Sequence, residues 1–231
     1  ELIRFIKPSE IYYLAAYHQS SEEEIGIGID IIRKSYEVNI FSYLNFLEGI
    51  RNHSRNSKIF YASSCHIFGN PTQKYQNEST KVNPNSVYSI TKYDAMQITK
   101  YYREKYELFC SVGILFNHES HLRTEKFVSK KIVKTAVDIK NGKNHELKIG
   151  NLKAIIDWGY AGDFIEAFNK ILNHDVPDDF VVSSGKSHSI RDFIKYAFEY
   201  LDLDWENYTF EDKSLIKRKS SNNLVGDYNK L

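Results

Sequence analysis

Cysteine, methionine, net charge and long apolar runs are all scarce in this chain, and each scarcity closes off a class of protein. Two cysteines, Cys65 and Cys110, stand among 231 residues, too few for a disulfide framework and in keeping with a reducing compartment. Lys plus Arg number 31 against 30 Asp plus Glu, a net charge of +1, so no basic footprint offers itself to nucleic acid or to an anionic membrane. No apolar run approaches a membrane span and no signal peptide is visible, which makes a cytoplasmic location the default expectation. The one methionine is Met96 and the chain opens on Glu1, so we expect a piece of a longer protein. The closing residues 227–231 read as the start of a helix that is cut short. Against these scarcities, 42% of the residues are hydrophobic, ample for the core of one large domain.

The most informative stretch is Tyr88-Ser89-Ile90-Thr91-Lys92, directly after the turn Asn83-Pro84-Asn85-Ser86. Tyr and Lys four apart on a helix share one face, so an ammonium can lie beside a phenol and favour its ionised form. A phenol titrating near 10 is a poor base at neutral pH, and such a neighbour, with a hydroxyl partner, moves it towards usefulness. The run Ile59-Phe60-Tyr61-Ala62-Ser63-Ser64 reads as a short apolar strand that delivers Ser64 to its C-terminal end, where open α/β sheets bind ligands. Among 17 tyrosines and 31 basic residues, a bare Tyr-x-x-x-Lys pair arises by chance on solvated helix faces, so the surroundings have to carry the reading.

Strands and helices alternate along those surroundings. Residues 1–10 read as the end of a helix closed by Pro8, and 11–16 as a strand apolar on both faces, hence a middle strand. Ala15 and Ala16 leave room for a ligand across its end. Val38, Phe41, Leu44, Leu47 and Ile50 fall at helical spacing within 30–53. Residues 69–86, rich in Asn, Pro, Thr and Ser, read as loop, and a helix over 87–106 follows. Phe109 to Phe116 reads as a buried strand bringing Asn117-His118-Glu119-Ser120 to the same rim as Ser64. Next come a helix over 124–141, a strand over 147–149, a helix over 160–174, a strand over 180–183 and a helix over 188–201 capped by Ser187 or Ser189. His118, Glu119 and His121 lack helical spacing and a further partner, so no metal site is expected there.

Several words of this sequence, taken in order, resemble the extended short-chain dehydrogenase/reductases that act on nucleotide sugars, and within them the GDP-mannose 4,6-dehydratases. They are Ile11-Tyr-Tyr-Leu-Ala-Ala16, Tyr61-Ala-Ser-Ser64 with Gly69, Tyr88-Ser-Ile-Thr-Lys92, Gly113-Ile-Leu-Phe-Asn-His-Glu-Ser120, Phe127-Val128 with Lys131-Ile132, Gly150-Asn151-Leu152, Asp157-Trp-Gly159, Asp179-Phe180 and Gly226-Asp227. The resemblance implies an α/β fold: a doubly wound, parallel-sheet, Rossmann-type domain in residues 1–120, truncated at its N-terminus. A smaller substrate-binding lobe would follow in 121–231, interleaved with elements returning to the main sheet. It also implies NADP (or NAD) as cofactor, touched by Ala15, Ala16, Tyr17, Tyr88, Lys92, Asn117, His118 and Arg123. The implied substrate is a nucleotide sugar, GDP-mannose or a related GDP-sugar, held by Asn117, Val128, Lys131, Lys217 and Arg218. The helix over 30–53 and the one starting near Tyr88 would pair with their copies in a homodimer, or within a homotetramer.

Ser64, His66, Tyr88 and Lys92 would be catalytic. In the family reaction Tyr88 helps to remove a hydride from sugar C4, a Glu takes the acidified C5 proton, and water leaves from C6. Here His66 holds the Glu position, and an imidazole can accept a proton at neutral pH. Two further departures concern the substrate diphosphate: Ile156 stands where an arginine is usual, and Lys217-Arg-Lys-Ser-Ser221 replaces an Arg-Pro-x-Glu-Val word, although Arg and Lys are not equivalent phosphate clamps. None of the eleven glycines forms the strand, glycine-rich turn and helix that hold a pyrophosphate. Gly26-Ile27-Gly28 follows no strand and has Ile31 where a third glycine belongs. The expected activity is therefore a GDP-mannose 4,6-dehydratase-type elimination. A nucleotide-sugar 4-epimerase or 4-keto-reductase, and a non-catalytic paralogue, are the alternatives.

Overall fold

The computed structural model describes residues 1–18, 28–216 and 223–231. Helix α1 (Leu2–Ile6) stops where Lys7 turns left-handed at φ 48° and Pro8 follows, and the chain enters strand β1 (Glu10–Tyr13). Helices α2 (Ile29–Tyr36) and α3 (Ser42–His53) form one helical run joined by a π-helical turn, Glu37–Phe41. Strand β2 (Lys58–Ala62), a 3-10 turn (Cys65–Phe68) and helix α4 (Val87–Tyr106) lead to β3 (Cys110–Leu115) and the short β4 (Asn117–Glu119). Helix α5 (Val128–Lys140), β5 (Leu147–Ile149), β6 (Ile155–Tyr160), α6 (Ala161–Leu172) and β7 (Asp179–Val182) follow, then β8 (Ser187–Ser189), α7 (Ile190–Glu199) and β9 (Thr209–Glu211). No helix among the described residues is long and apolar enough to cross a membrane.

The main sheet runs in the order β1-β2-β3-β7 with every pair parallel. Side chains alternate across it, because successive residues of a strand point to opposite faces. Ile59, Tyr61, Cys110, Val112, Ile114 and Val181 join Tyr43, Leu47, Ile50 and Met96 on the α3 and α4 side. Phe60, Ala62, Leu115, Phe180 and Val182 meet Phe164, Phe168 and Ile171 of α6 on the other. A layer on each face of a parallel sheet is what the unbroken apolar runs of β2 and β3 require. At Gly113 the approach is close enough that an added Cβ would stand 2.5 Å from the Phe60 ring, so the glycine admits that ring to the second core.

A third cluster, with Ile132, Ala136, Leu147, Ile149, Ile194 and Phe198, holds α5 and α7 together. Beside it β6 pairs in parallel with β4 and antiparallel with β8, and β5 pairs with β9. Asp157 of β6 is wholly buried and ties three segments together. Its carboxylate accepts from Ser184 Oγ at 2.6 Å, from the Ser184 and Gly185 amides at 3.0 and 3.1 Å, and from the Gly226 amide at 3.0 Å.

The helices over 30–53, 87–106, 160–174 and 188–201 form close to their expected bounds, the last capped by Ser189. Three expectations need correction. Strand β1 ends at Tyr13 instead of residue 16, because Leu14, Ala15 and Ala16 leave the sheet and lie exposed, and among the described residues it pairs only with β2, as an edge strand. Helix α5 begins at Val128, not 124, since residues 121–127 spend their polar groups on turns and ion pairs. Residues 227–231 close in a turn, Leu231 N to Tyr228 O at 3.0 Å, and not in a helix. Strands β4, β6, β8 and β9 arise without having been expected, three of them being only three residues long.

Candidate active site

Helix α4 starts on a reciprocal cap: Ser86 Oγ accepts the Ser89 amide at 3.2 Å and Ser89 Oγ accepts the Ser86 amide at 3.0 Å. Such a box fixes the first turn, and Tyr88 lies within that turn. Ser64 leaves the end of β2 in extended conformation, and its hydroxyl accepts the His66 amide at 3.3 Å, which starts the 3-10 turn. The Ser64 hydroxyl also acts on the Tyr88 phenol, lowering its pKa. His66 stands edge-on to the Tyr88 ring, centroids 6.3 Å apart. One helical turn past Tyr88, Lys92 is 2% exposed. Its ammonium donates to the Ala62 carbonyl at 2.7 Å and lies 5.0 Å from the Tyr61 ring centroid and 5.7 Å from that of Tyr88. The phenol, amine, alcohol and imidazole expected to work together are thus brought to one rim of the sheet.

Their electrostatics differ from expectation. Burial pushes the Tyr88 phenol up to about 12, against the lowering effects of the Ser64 hydrogen bond and of Arg123. Burial likewise brings Lys92 down to about 7. Desolvation disfavours charge on either group and outweighs the help that a cation was expected to give the phenol. Hydroxyl and guanidinium, with no contribution from Lys92, are the groups that pull Tyr88 back towards ionisation.

A buried polar relay supports the site from behind. Asn39, wholly buried in the π-helical turn, accepts the Tyr17 amide at 2.7 Å and donates to Thr91 Oγ1 at 2.9 Å, and Thr91 Oγ1 donates to the Tyr88 carbonyl at 2.9 Å. A π-turn in a helix often marks a functional position, and here it turns an amide into the core to hold the Tyr17 backbone against α4. Sequence reasoning missed Asn39; the one available signal was a polar residue set between Val38 and Ile40 in an apolar stripe. It also missed His18, whose ring meets that of Tyr88 edge-on at 4.6 Å and lies parallel to Phe127 at 6.1 Å.

The remaining expected residues divide. Ala15 and Ala16 are exposed, and Tyr17 is half-buried, its ring 5.0 Å from the Lys34 ammonium. Arg123 lies flat on Phe127 at 3.6 Å and forms an ion pair with Glu119 at 3.1 Å. Asn117 and His118 sit on β4, but the His118 ring stacks on Phe164 at 4.6 Å and its Nδ1 pairs with the Phe116 carbonyl at 2.9 Å. Burial lowers its pKa, so the ring is first a packing element. Val128 packs on the α5–α7 cluster, and Lys131 follows on α5, half-buried. Lys217 and Arg218 fall outside the described residues, as do Gly26 and the rest of 19–27. Ile156 is half-buried in the same cluster, opposite His188 on β8. Among the described residues no three His, Cys, Asp or Glu side chains are gathered as they would be around a metal ion.

Ala15 and Ala16 lie exposed beyond the end of β1, and the Arg123 Nε is committed to Glu119 Oε2 at 3.1 Å.

A family profile described as GDP-mannose 4,6 dehydratase matches residues 1–230. GDP-mannose 4,6 dehydratase 2 of Arabidopsis thaliana is 38% identical over 99% of this chain and 61% of its own length. The GDP-mannose 4,6-dehydratase of Vibrio cholerae is 31% identical over 98% of this chain and 59% of its own. The chain therefore spans about three fifths of these relatives. Among solved structures, RMD from Pseudomonas aeruginosa complexed with NADPH superposes with a TM-score of 0.86 at 18% identity, over 97% of this chain and 74% of that one. A dTDP-glucose 4,6-dehydratase from Bacillus anthracis in complex with NAD gives 0.81 at 17%, over 99% and 67%. At those identities the structural likeness establishes the parallel-sheet Rossmann-type fold alone. With the profile running almost end to end and the rim of Ser64, Tyr88 and Lys92 in place, this chain belongs to the GDP-mannose 4,6 dehydratase family.

Proposed function

We propose that this chain carries the catalytic part of an NADP-dependent (or NAD-dependent) nucleotide-sugar 4,6-dehydratase, a lyase acting on GDP-mannose or a related GDP-sugar. The observation that carries the reading is the Tyr88 ring with the Lys92 ammonium 5.7 Å from its centroid one helical turn on and His66 edge-on to it at 6.3 Å, at the strand end that bears Ser64. A bound nicotinamide, held beside Tyr88 and Lys92, would supply a two-electron hydride acceptor for C4 and donor for C6. The rest falls to this chain. Ser64 polarises the C4 hydroxyl, and Tyr88, whose phenol first gives up its own proton to solvent against the burial that raises its pKa, takes the C4 hydroxyl proton as the hydride leaves, giving a ketone that acidifies C5. His66 takes the C5 proton and passes it to the departing C6 hydroxyl, which leaves as water. After the hydride reaches C6, the proton held by Tyr88 is returned through solvent to C5. The net change is the loss of one water, and general acid–base steps of this kind contribute about 10²- to 10⁴-fold each.

The same reading assigns Ala15, Ala16, Tyr17, Asn117, His118 and Arg123 to the cofactor, and Asn117, Val128, Lys131, Lys217 and Arg218 to the substrate. Residues 1–120 would serve mainly the cofactor and 121–231 mainly the sugar nucleotide. It places the enzyme in the cytoplasm as a homodimer or homotetramer. Support for the assembly comes from α2, its π-turn and α4, where Ile29, Ile32, Phe41, Ile90 and Tyr101 are exposed.

The full-length protein incubated with NADP and GDP-mannose in heavy water tests the reading. Deuterium at C5 together with loss of the C6 hydroxyl, read by mass spectrometry, is the expected result. His66 in the Glu position favours a second reading, a 4-epimerase or 4-keto-reductase, which would interconvert C4 without either change. Failure to bind NADP(H) or GDP would leave a non-catalytic paralogue.

A further inference from the structure

Arg123, Phe127, His18 and Tyr88 form a continuous stack. The guanidinium lies on the Phe127 ring at 3.6 Å, Phe127 is parallel to His18 at 6.1 Å with 19° between the planes, and His18 meets Tyr88 at 4.6 Å with 81° between the planes. Phe127 is the N-cap residue of α5. The stack therefore runs from the start of the helix that bears Val128 and Lys131 to the ring of the proposed base. It approaches Tyr88 through a second imidazole, separate from His66.

We infer that His18 is a positioning residue of the proposed reaction: its ring, gripped by Phe127, holds the Tyr88 ring at the angle that points the phenol at Ser64 and links that angle to the seating of α5. The inference rests on the dehydratase reading above for what the angle is used for, but not for the contact itself. A tyrosine ring turns about two side-chain torsions, the second of them broad. The Ser64 hydroxyl acts on the phenol end of Tyr88, and the relay through Asn39 and Thr91 reaches its backbone carbonyl, not its ring. An edge-on neighbour limits the ring itself, since T-shaped aromatic pairs are favoured over arbitrary contact.

The test uses the full-length protein with NADP and GDP-mannose. His18→Ala is expected to lower kcat about tenfold with KM for the sugar nucleotide and Tm little changed, a loss in keeping with how steeply rates fall when reacting groups are misplaced. His18→Phe, which keeps a flat ring in the stack, is expected to recover most of that loss. An unchanged kcat in His18→Ala would overturn the proposal, and so would a His18→Phe enzyme no better than His18→Ala, since the imidazole would then act through its protons. If the wild-type protein converts no nucleotide sugar, the dehydratase reading fails and the contact is judged by proton NMR instead. The His18 imidazole resonance, assigned with His18→Gln, is expected to move in Tyr88→Leu, which removes the ring current, and to stay near its wild-type position in Tyr88→Phe. No movement in Tyr88→Leu would overturn the placement.

Discussion

Lys92 spends its ammonium on a backbone carbonyl, that of Ala62 at 2.7 Å, at the last residue of the strand that leads to Ser64. A lysine 2% exposed and bonded to one neutral acceptor is poorly compensated for the loss of water, and burial brings it to about 7 from its ordinary 10.5. The folded state then binds fewer protons than the unfolded one between about pH 7 and 10. Stability linked to this group is therefore present above its ordinary pKa and lost as pH falls through its folded value. We expect the stability difference between the wild-type protein and Lys92→Met, followed by denaturant unfolding without ligand, to move in favour of wild type as pH rises from about 7 to 10. A flat difference across that window would show that the ammonium is compensated by something other than the Ala62 carbonyl.

The proposed roles of Tyr88 and Ser64 at C4 are unequal. Tyr88→Phe removes the group proposed to take the proton and keeps the ring, so the fold and the His18 contact should survive. Hydride transfer, followed by nicotinamide absorbance, should fall at least about a hundredfold, within the usual range for a lost general base. Ser64→Ala removes one hydrogen bond from the phenol, and the expected loss is about tenfold, on the scale of a single bond worth about 1 kcal/mol. Equal losses in the two variants would move the proton-accepting role away from Tyr88.

In the proposed reaction His66 is the residue that separates elimination from oxidation. With His66→Gln, C4 oxidation should persist while deuterium exchange at C5 and loss of the C6 hydroxyl fall by about a hundredfold or more. With His66→Glu, elimination should continue, and the acid limb of its pH profile should move downward, because carboxylates titrate about two units below imidazoles. An elimination rate indifferent to both changes would remove His66 from the chemistry and favour His18 or solvent as the C5 base.

The parts of this site that lie within one element were legible in the sequence. Tyr88 and Lys92 share a helical face by periodicity alone, Ser86 announces the helix start, and the buried runs of β2 and β3 read as strands because apolar side chains face both layers. Relationships between remote elements were not. Nothing in Val38-Asn39-Ile40 shows that the helix takes a π-turn there and aims an amide at Thr91, and nothing near His18 shows that it will meet Tyr88. The short β4, β6 and β8 depend on pairing partners from three places in the chain, so local pattern carries little of them. The charge states of Tyr88 and Lys92 were misjudged because desolvation depends on the whole fold, whereas spacing reports only the neighbour.

Asp157 joins β6 to the segment after β7 and to the C-terminal segment by serving Ser184, Gly185 and Gly226 with one carboxylate. The last of these docks the C-terminal segment, where the amides of Val225 and Asp227 bond Gln76 at 2.9 and 2.8 Å and Leu224 bridges to Ile156. Asp157→Ala would leave three backbone donors without this acceptor, at about 1–3 kcal/mol for each that stays buried. Asp157→Asn keeps the shape but turns an NH2 towards a donor, a smaller loss of the same sign. We expect both variants to lower Tm, alanine more than asparagine, and hydrogen exchange at the Gly226 and Val225 amides to rise before that of β2 and β3. The order matters more than the size. If β2 and β3 opened together with Gly226, the carboxylate would be supporting the main sheet, and Asp157 would belong to the global core and not to the fastening of one segment.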